Sequence, residues 1–177
     1  MQFSTIFSIG LVATSAMAAP AVSRRGLTDV TAAFEKIEAN IATMVAKVKA
    51  WDGQASSIAP VLEESGKLTA TIKAQTAAIA GTGAIGITDA VGVAGPVNTL
   101  SAKVDDIVSA LTSKKAQFDS AKLTSKVSGE LTNDLTATKE LIKTIVGKLP
   151  SIAVPIAQPL ADGITTKLDK AVTTFSK

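Results

Sequence analysis

The stretch that decides the fold is LTDVTAAFEKIEANIATMVAKVKAW, which occupies residues 27–51. Its large apolar residues follow one another at alternating intervals of three and four: Leu27, Val30, Phe34, Ile37, Ile41, Met44, Val48 and Trp51. This spacing places all of them on one face of an α-helix, whereas a half-buried strand would alternate every second residue. The stretch therefore predicts a long amphipathic helix, which Asp52 and Gly53 end.

Four further segments carry helical stripes of the same kind. We predict that these helices run from about Ile58 to Ala80, from about Thr88 to Phe118, from Leu123 to Leu149 and from Pro155 to Phe175. Pro60 falls in the first turn of the second helix, Pro150 closes the fourth, and Pro159 lies within the first turns of the last, where proline is tolerated. Five amphipathic helices on short links, with no strand candidate, predict an all-α, single-domain bundle.

Residues 81–95 are rich in glycine, and Gly81 to Gly86 match GxGxxG literally. A dinucleotide site needs that motif between a strand and a helix, but here it follows a predicted helix and no parallel sheet is predicted. We therefore interpret the segment as a helix–helix connection that leads into an irregular helix start near Thr88 and Asp89.

Composition excludes several classes of chemistry. The 177 residues contain no His, Cys or Tyr, which removes Ser-His-Asp and Cys-His nucleophiles, thiol redox chemistry and zinc sites built on His or Cys. Aromatic residues are 3% of the chain and the lysines form no basic stripe, which argues against a nucleic-acid partner. The adjacent acids Glu63–Glu64 and Asp105–Asp106 point about 100° apart on a helix and form no acid/base dyad. We predict a binding protein that is not an enzyme and needs no metal or cofactor.

The first residues resemble a secretory leader. An apolar stretch from Ile6 to Ala13 precedes Ala16-Met17-Ala18, a small-x-small cleavage pattern, and the run is too short and too often interrupted for a transmembrane helix. We assign residues 1–18 to a signal peptide and 26–177 to the bundle domain. Residues 19–25 end in Arg24 and Arg25, which are either a dibasic processing site or part of a solvated tail. Loss of both arginines would lower the formal net charge from +3 to +1.

The second half of the chain carries an ordered set of degenerate motifs. These are Leu111-x-x-Lys114-Lys115-x-x-Phe118-Asp119, Leu123-Thr124, Leu131, Lys148-Leu149-Pro150, Val154, Leu160-Ala161 and Ala171 to Phe175. With them the chain resembles the fungal hydrophobic surface binding protein and antigenic cell-wall galactomannoprotein family, over roughly Thr28 to Phe175. It departs from that family in the glycine-rich segment 81–95 and in Pro159, both of which bear on the shape of any cavity mouth.

This resemblance implies a small secreted or wall-associated helical protein. Some members of the family bind fatty acids in a central apolar cavity, and others adsorb to hydrophobic surfaces, where they recruit a polyester-degrading hydrolase. Two hypotheses follow: a monomeric carrier that holds a fatty acid or similar lipid inside the bundle, and a surface-active protein that adsorbs to apolar material. Cell-wall polysaccharide is a further partner that the resemblance suggests.

For the first hypothesis, an interior of small aliphatic residues with little aromatic filling leaves room for a chain-like ligand. Ile107 and Leu135 lie in the middle of their helices on the predicted inward stripes. The full set that we predict to line the cavity is Phe34, Ile37, Ile41, Met44, Ile72, Leu100, Val104, Ile107, Leu111, Leu131, Leu135, Ile145, Leu168 and Val172.

Overall fold

A computed structural model describes residues 23–177 of the chain. The predicted signal peptide and most of segment 19–25 lie outside the described residues. The helices are α1 (Ser23–Ala50), α2 (Ala59–Ala80), α3 (Ile87–Ala90), α4 (Ala94–Ser113), α5 (Lys115–Ser120), α6 (Thr124–Val146) and α7 (Val154–Phe175). Two 3-10 turns, Ala55–Ser57 and Val91–Val93, complete the regular structure of residues 23–177, so the prediction of an all-α fold is confirmed.

The five long helices form a closed ring around a common axis. Around the ring, α1 packs on α2, α2 on α6, α6 on α7, α7 on α4, and α4 again on α1. Because each helix buries one apolar stripe, the five stripes meet at the axis and form one continuous hydrophobic core. The predicted number of long helices is therefore correct, and the short helices α3 and α5 are additions that the periodicity did not predict.

The two ends of the bundle are filled differently. At one end, which we call the aromatic end, the ring of Trp51 stacks on Phe118 with centroids 4.4 Å apart, and Phe118 meets Phe175 edge to face at 6.0 Å. Large aromatic rings bury much area, so this end is firmly closed. Phe34 is thus the one aromatic residue of the described chain that lies elsewhere in the core.

The opposite end, which we call the glycine end, is built from the connections 81–93 and 147–153. Gly92 allows a close approach to α1, because a Cβ atom there would lie 2.8 Å from Cδ2 of Leu27. Lys148 joins the two connections: its Nζ donates to the carbonyl oxygens of Ala80, the last residue of α2, at 2.8 Å and of Thr82 at 2.7 Å. The GxGxxG match therefore forms part of a helix–helix connection, as predicted.

Two predicted helix boundaries are wrong. The third long helix, α4, ends at Ser113 instead of reaching Phe118, and the backbone turns at Lys114 before α5 begins. The Nζ of Lys114 donates to the carbonyl oxygen of Trp51 at 2.8 Å, and the turn brings Phe118 against that residue. Tertiary packing thus overrides the continuous helical pattern. Likewise, α6 ends at Val146 and not at Leu149.

Candidate functional site

Small apolar cavities follow the axis of the bundle. The central cavity, about 40 Å³, lies between all five long helices. It is lined by Ile37, Ile41, Met44, Leu68, Ile72, Leu100, Val104, Ile107, Leu131, Asp134, Thr138, Leu141, Ile164 and Leu168. A cavity needs about 10–15 Å³ to hold one water molecule, so this space is far smaller than a long acyl chain.

A second space, the proximal cavity, continues the central one toward the glycine end. It measures about 30 Å³ and shares Leu100, Thr138, Leu141 and Ile164 with the central cavity. Its other lining residues are Phe34, Val93, Val97, Ile142, Ile145, Val146, Leu149, Ala157 and Ala161. The four shared residues therefore lie between the two cavities.

The proximal cavity borders an apolar groove on the surface. This groove, about 100 Å³, runs between the start of α4 and the start of α7 and shares Val93, Val97 and Ala157 with the proximal cavity. Val91 and Ile156 line it from opposite sides and are exposed to 75% and 66%. Ile87 and Ile152 precede them by four residues and are similarly exposed. We call these four residues the apolar patch; they are the large exposed hydrophobic side chains of residues 23–177.

The lining of the central cavity contains two polar residues of α6. Asp134 and Thr138 are exposed to only 5% and 8%, and a separation of four residues places them on one face of the helix. Oγ1 of Thr69 on α2 donates a short hydrogen bond to Oδ1 of Asp134. Oδ2 of Asp134 and the hydroxyl of Thr138 form no hydrogen bond with any residue of the described chain, and neither atom is fully enclosed, because no fully enclosed polar side-chain atom of residues 23–177 lacks a partner.

Burial makes Asp134 an unusual acid. Loss of hydration raises the pKa of its carboxyl to about 7; the hydrogen bond from Thr69 acts in the opposite direction, and the negative charge of Glu130 adds to the rise. No ion pair within residues 23–177 includes Asp134. The group is therefore neutral in acidic solution and negatively charged in alkaline solution, inside a space that is otherwise apolar.

The structure places most of the predicted ligand-binding residues beside one of these small spaces, and their role in binding stays a prediction. Phe34 and Ile145 line the proximal cavity. Leu111 lines a narrow crevice of about 10 Å³ among α1, α2, α4 and α6, which Glu130 and Asp134 also line. The central cavity brings together Ile37, Ile41, Met44, Ile72, Leu100, Val104, Ile107, Leu131 and Leu168. Leu135 is buried and Val172 is half-buried, but neither lines any of these spaces.

The acids of the other charged motifs form ion pairs with lysines. Glu63 and Glu64 pair with Lys67 at 2.8 and 3.5 Å, so they form no acid/base dyad. Asp105 and Asp106 likewise pair with lysines, the first with Lys167 at 2.6 Å. Among residues 23–177, no group of His, Cys, Asp and Glu side chains is arranged to hold a metal ion. In the same part of the chain, no helix is both long enough and apolar enough to cross a membrane.

The fold matches solved structures at high similarity. Ligand binding domain 1 of the MP1 protein of Penicillium marneffei, complexed with arachidonic acids, superimposes with a TM-score of 0.81 at 19% identity, over 86% of this chain and 100% of that one. AFMP4P in complex with palmitic acid superimposes with a TM-score of 0.78 at 19% identity, over 84% of this chain and 99% of that one. At these identities the likeness shows a shared fold.

Sequence comparisons show the family to which the chain belongs. The chain is 33% identical to cell wall mannoprotein 1 of Aspergillus flavus over 175 residues and 29% identical to that of Aspergillus fumigatus over 176. It spans 63% and 60% of the lengths of these two relatives. The sequence model described as Hydrophobic surface binding protein A matches residues 27–147, which include the whole ring of helices except α7. The chain therefore belongs to the hydrophobic surface binding protein A family.

Proposed function

We propose that the protein is a non-enzymatic carrier, secreted or held in the cell wall, that takes a fatty acid or similar lipid into the interior of its helical bundle. The observation that carries this proposal is the row of apolar spaces along the bundle, in which the exposed groove and the proximal cavity share lining residues, as do the proximal and central cavities. Two proteins of the same fold are complexed with arachidonic and palmitic acids, which supports a lipid as the ligand.

Entry of a chain requires the bundle to open, because the cavities are too small for it as they stand. The first half of α7 is the part best suited to move, since none of residues 154–160 is fully buried. Pro159 lies inside this helix and lacks the N–H that would bond to the carbonyl of Pro155, which weakens the same turns. We therefore place the entrance between the starts of α4 and α7, beside the apolar patch.

Native mass spectrometry of protein purified from its own culture medium tests the carrier function. We expect a population with one added lipid mass, released by organic solvent, and saturable uptake of palmitate at one molecule per chain by the delipidated protein. Unsaturable uptake, or no uptake at all, would contradict a carrier that binds inside the bundle.

A second candidate function is adsorption to hydrophobic surfaces, which the apolar patch favours. Val91 and Ile156 face outward on either side of the groove, where they are free to contact an apolar solid. We expect the double variant Val91→Ser, Ile156→Ser to adsorb less to polystyrene beads, with a substitution of the half-buried Leu62, Leu62→Ser, as a control for general loss of apolar surface. Recruitment of a secreted polyester hydrolase would then be tested by measuring how much enzyme the coated beads retain.

A further inference from the structure

Asp134 and Thr138 are the two polar residues that line the central cavity, and Thr69 engages only one oxygen of the Asp134 carboxyl group. Their free groups are an acceptor, Oδ2 of Asp134, and a hydroxyl that both donates and accepts. Neither atom is fully enclosed by the protein, so each is open to a small polar group that enters the cavity. These two groups face a cavity that continues toward the surface groove, so a molecule that enters along the axis would reach them.

The surroundings of the pair leave no cation to neutralise Asp134. On its own helix, Glu130 is one turn earlier and accepts a hydrogen bond from the hydroxyl of Ser65 at 3.4 Å. On α2, Glu64 is buried and its carboxylate lies 3.5 Å from Nζ of Lys67, which is itself exposed. Asp134 thus faces a hydroxyl from α2 and a second carboxyl from α6.

The other helices contribute no charge to the central cavity. Its lining residues from α1, α4 and α7 are all apolar. The charged side chains of α7 nearest in sequence are engaged outside, Lys167 with Asp105 at 2.6 Å and Asp169 with Lys139 at 3.6 Å. An anionic head group that entered this cavity would therefore meet a carboxyl group and no counter-ion.

We infer that Asp134 and Thr138 form the head-group site of the lipid cavity, and that this site takes an uncharged hydroxyl group, or a carboxylate only while Asp134 carries a proton. This inference rests on the proposed function. In the first case, the ligand hydroxyl donates to Oδ2 of Asp134 and accepts from the hydroxyl of Thr138. In the second case, protonated Asp134 donates to the carboxylate, so the two acids share one proton.

Position along the helix supports this assignment. Asp134 lies twelve residues before Val146, the end of α6 at the glycine end, which at 1.5 Å per residue is about 18 Å. That depth is comparable with the length of an extended long-chain acyl group. A lipid with its head group at Asp134 would therefore lie along both cavities and end near the groove.

The test compares two ligands that differ only at the head group, dodecanoic acid and dodecan-1-ol, by calorimetric titration of the full chain at about pH 6 and about pH 8.5. Because Asp134 has a pKa of about 7, its protonated fraction falls about 30-fold between these conditions. We expect the affinity for the acid to fall by about that factor as the pH rises. The alcohol has no group that titrates in this range, and its affinity should not fall with pH.

Asp134→Asn is the decisive variant, because the amide is neutral at every pH and donates to a carboxylate. We expect it to bind dodecanoic acid equally at both pH values. The matched control is Glu130→Gln, which removes the same charge one turn away but outside the central cavity, and should keep a clear pH dependence. Thr138→Val keeps the shape of the side chain, and we expect it to weaken binding of the alcohol.

The outcomes are separable. If the wild type binds both ligands with the same affinity at both pH values, or if Asp134→Asn keeps the wild-type ratio, the head-group site is wrong and the carrier function stands. If neither ligand binds the wild type at either pH, the carrier function itself fails. Should Asp134→Asn not fold, carbon NMR of the wild type decides, since bound dodecanoic acid must raise the titration midpoint of Asp134.

Discussion

Replacing Ile107 by phenylalanine tests whether the space inside the bundle is used by a ligand. Ile107 lies on α4, is 4% exposed and lines the central cavity. Eliminating a cavity of about 40 Å³ is worth at most about 1 kcal/mol, at roughly 24 cal/mol per Å³. We therefore expect Ile107→Phe to leave the free energy of unfolding unchanged or to raise it by up to about 1 kcal/mol.

Leu135 supplies the matched control, because it is equally buried but lines none of the cavities. A larger side chain there overpacks the core, and Leu135→Phe should lower the free energy of unfolding by about 1–3 kcal/mol. In a domain of about 150 residues, each kcal/mol corresponds to about 2–4 °C in melting temperature.

The assay is thermal unfolding, followed by circular dichroism, with and without palmitate. At a hundred times its dissociation constant a ligand adds about 2.7 kcal/mol, which corresponds to about 5–10 °C for the wild type and for Leu135→Phe. The rise in melting temperature on adding palmitate should nearly vanish in Ile107→Phe, because the phenylalanine ring occupies the central cavity. Equal destabilisation by both substitutions, together with an equal or absent palmitate shift in all three proteins, would refute the reasoning.

Two further predictions concern Asp134 and the leader. The carboxyl of Asp134 has a pKa near 3.9 in the unfolded chain and about 7 in the folded one. Its contribution to the free energy of unfolding is therefore fully present below about pH 4 and is lost, by as much as about 4 kcal/mol, as the pH rises to about 7. Urea unfolding should show this slope in the wild type and a flat profile in Asp134→Asn; a slope in both would assign it to other groups. N-terminal sequencing of secreted protein should find Ala19 or Gly26; intact Met1 would contradict the signal peptide, and Ala19 alone would contradict dibasic processing.

The helices were predictable from sequence because each buries one stripe at a regular interval. Residues 27–51 show this most clearly, and α1 contains every position of that stripe except Trp51, which directly follows it. The break at Lys114 was not predictable, because nothing in the local pattern stops a helix there. It depends on a contact with Trp51, which is more than sixty residues away in the chain.

The polar part of the cavity was missed although its signal is present in the sequence. One face of α6 shows intervals of three, four, three and four residues, the same spacing that identified α1. Its members are Leu131, Asp134, Thr138, Leu141 and Ile145. The predicted inward stripe of this helix instead includes Leu135, because an apolar residue is a better candidate for burial than an aspartate. Two consecutive polar residues on such a lattice are the feature that should direct attention to a site.

Closure of the ring could not be read from any one helix. Five stripes of similar width are compatible with several orders of packing, and the order is set by which helices the connections allow to meet. Once α7 returns against α4, the axis is surrounded on every side, and small cavities remain along it. The cavities thus arise from the closed arrangement, while their apolar lining arises from the stripes.

The acid at position 134 is best understood through the cost of burying it. A leucine there would need no hydration, would fill part of the central cavity and would remove the loss of stability at neutral pH, so packing alone favours it. The neighbouring helices do nothing to offset the charge, since α1, α4 and α7 contribute only apolar side chains to the cavity. Thr69 offsets part of the cost with one hydrogen bond and leaves the second carboxyl oxygen free. If the proposed head-group site is correct, an incoming hydroxyl or acid supplies a hydrogen bond to that oxygen, and the bound bundle is more stable than the empty one.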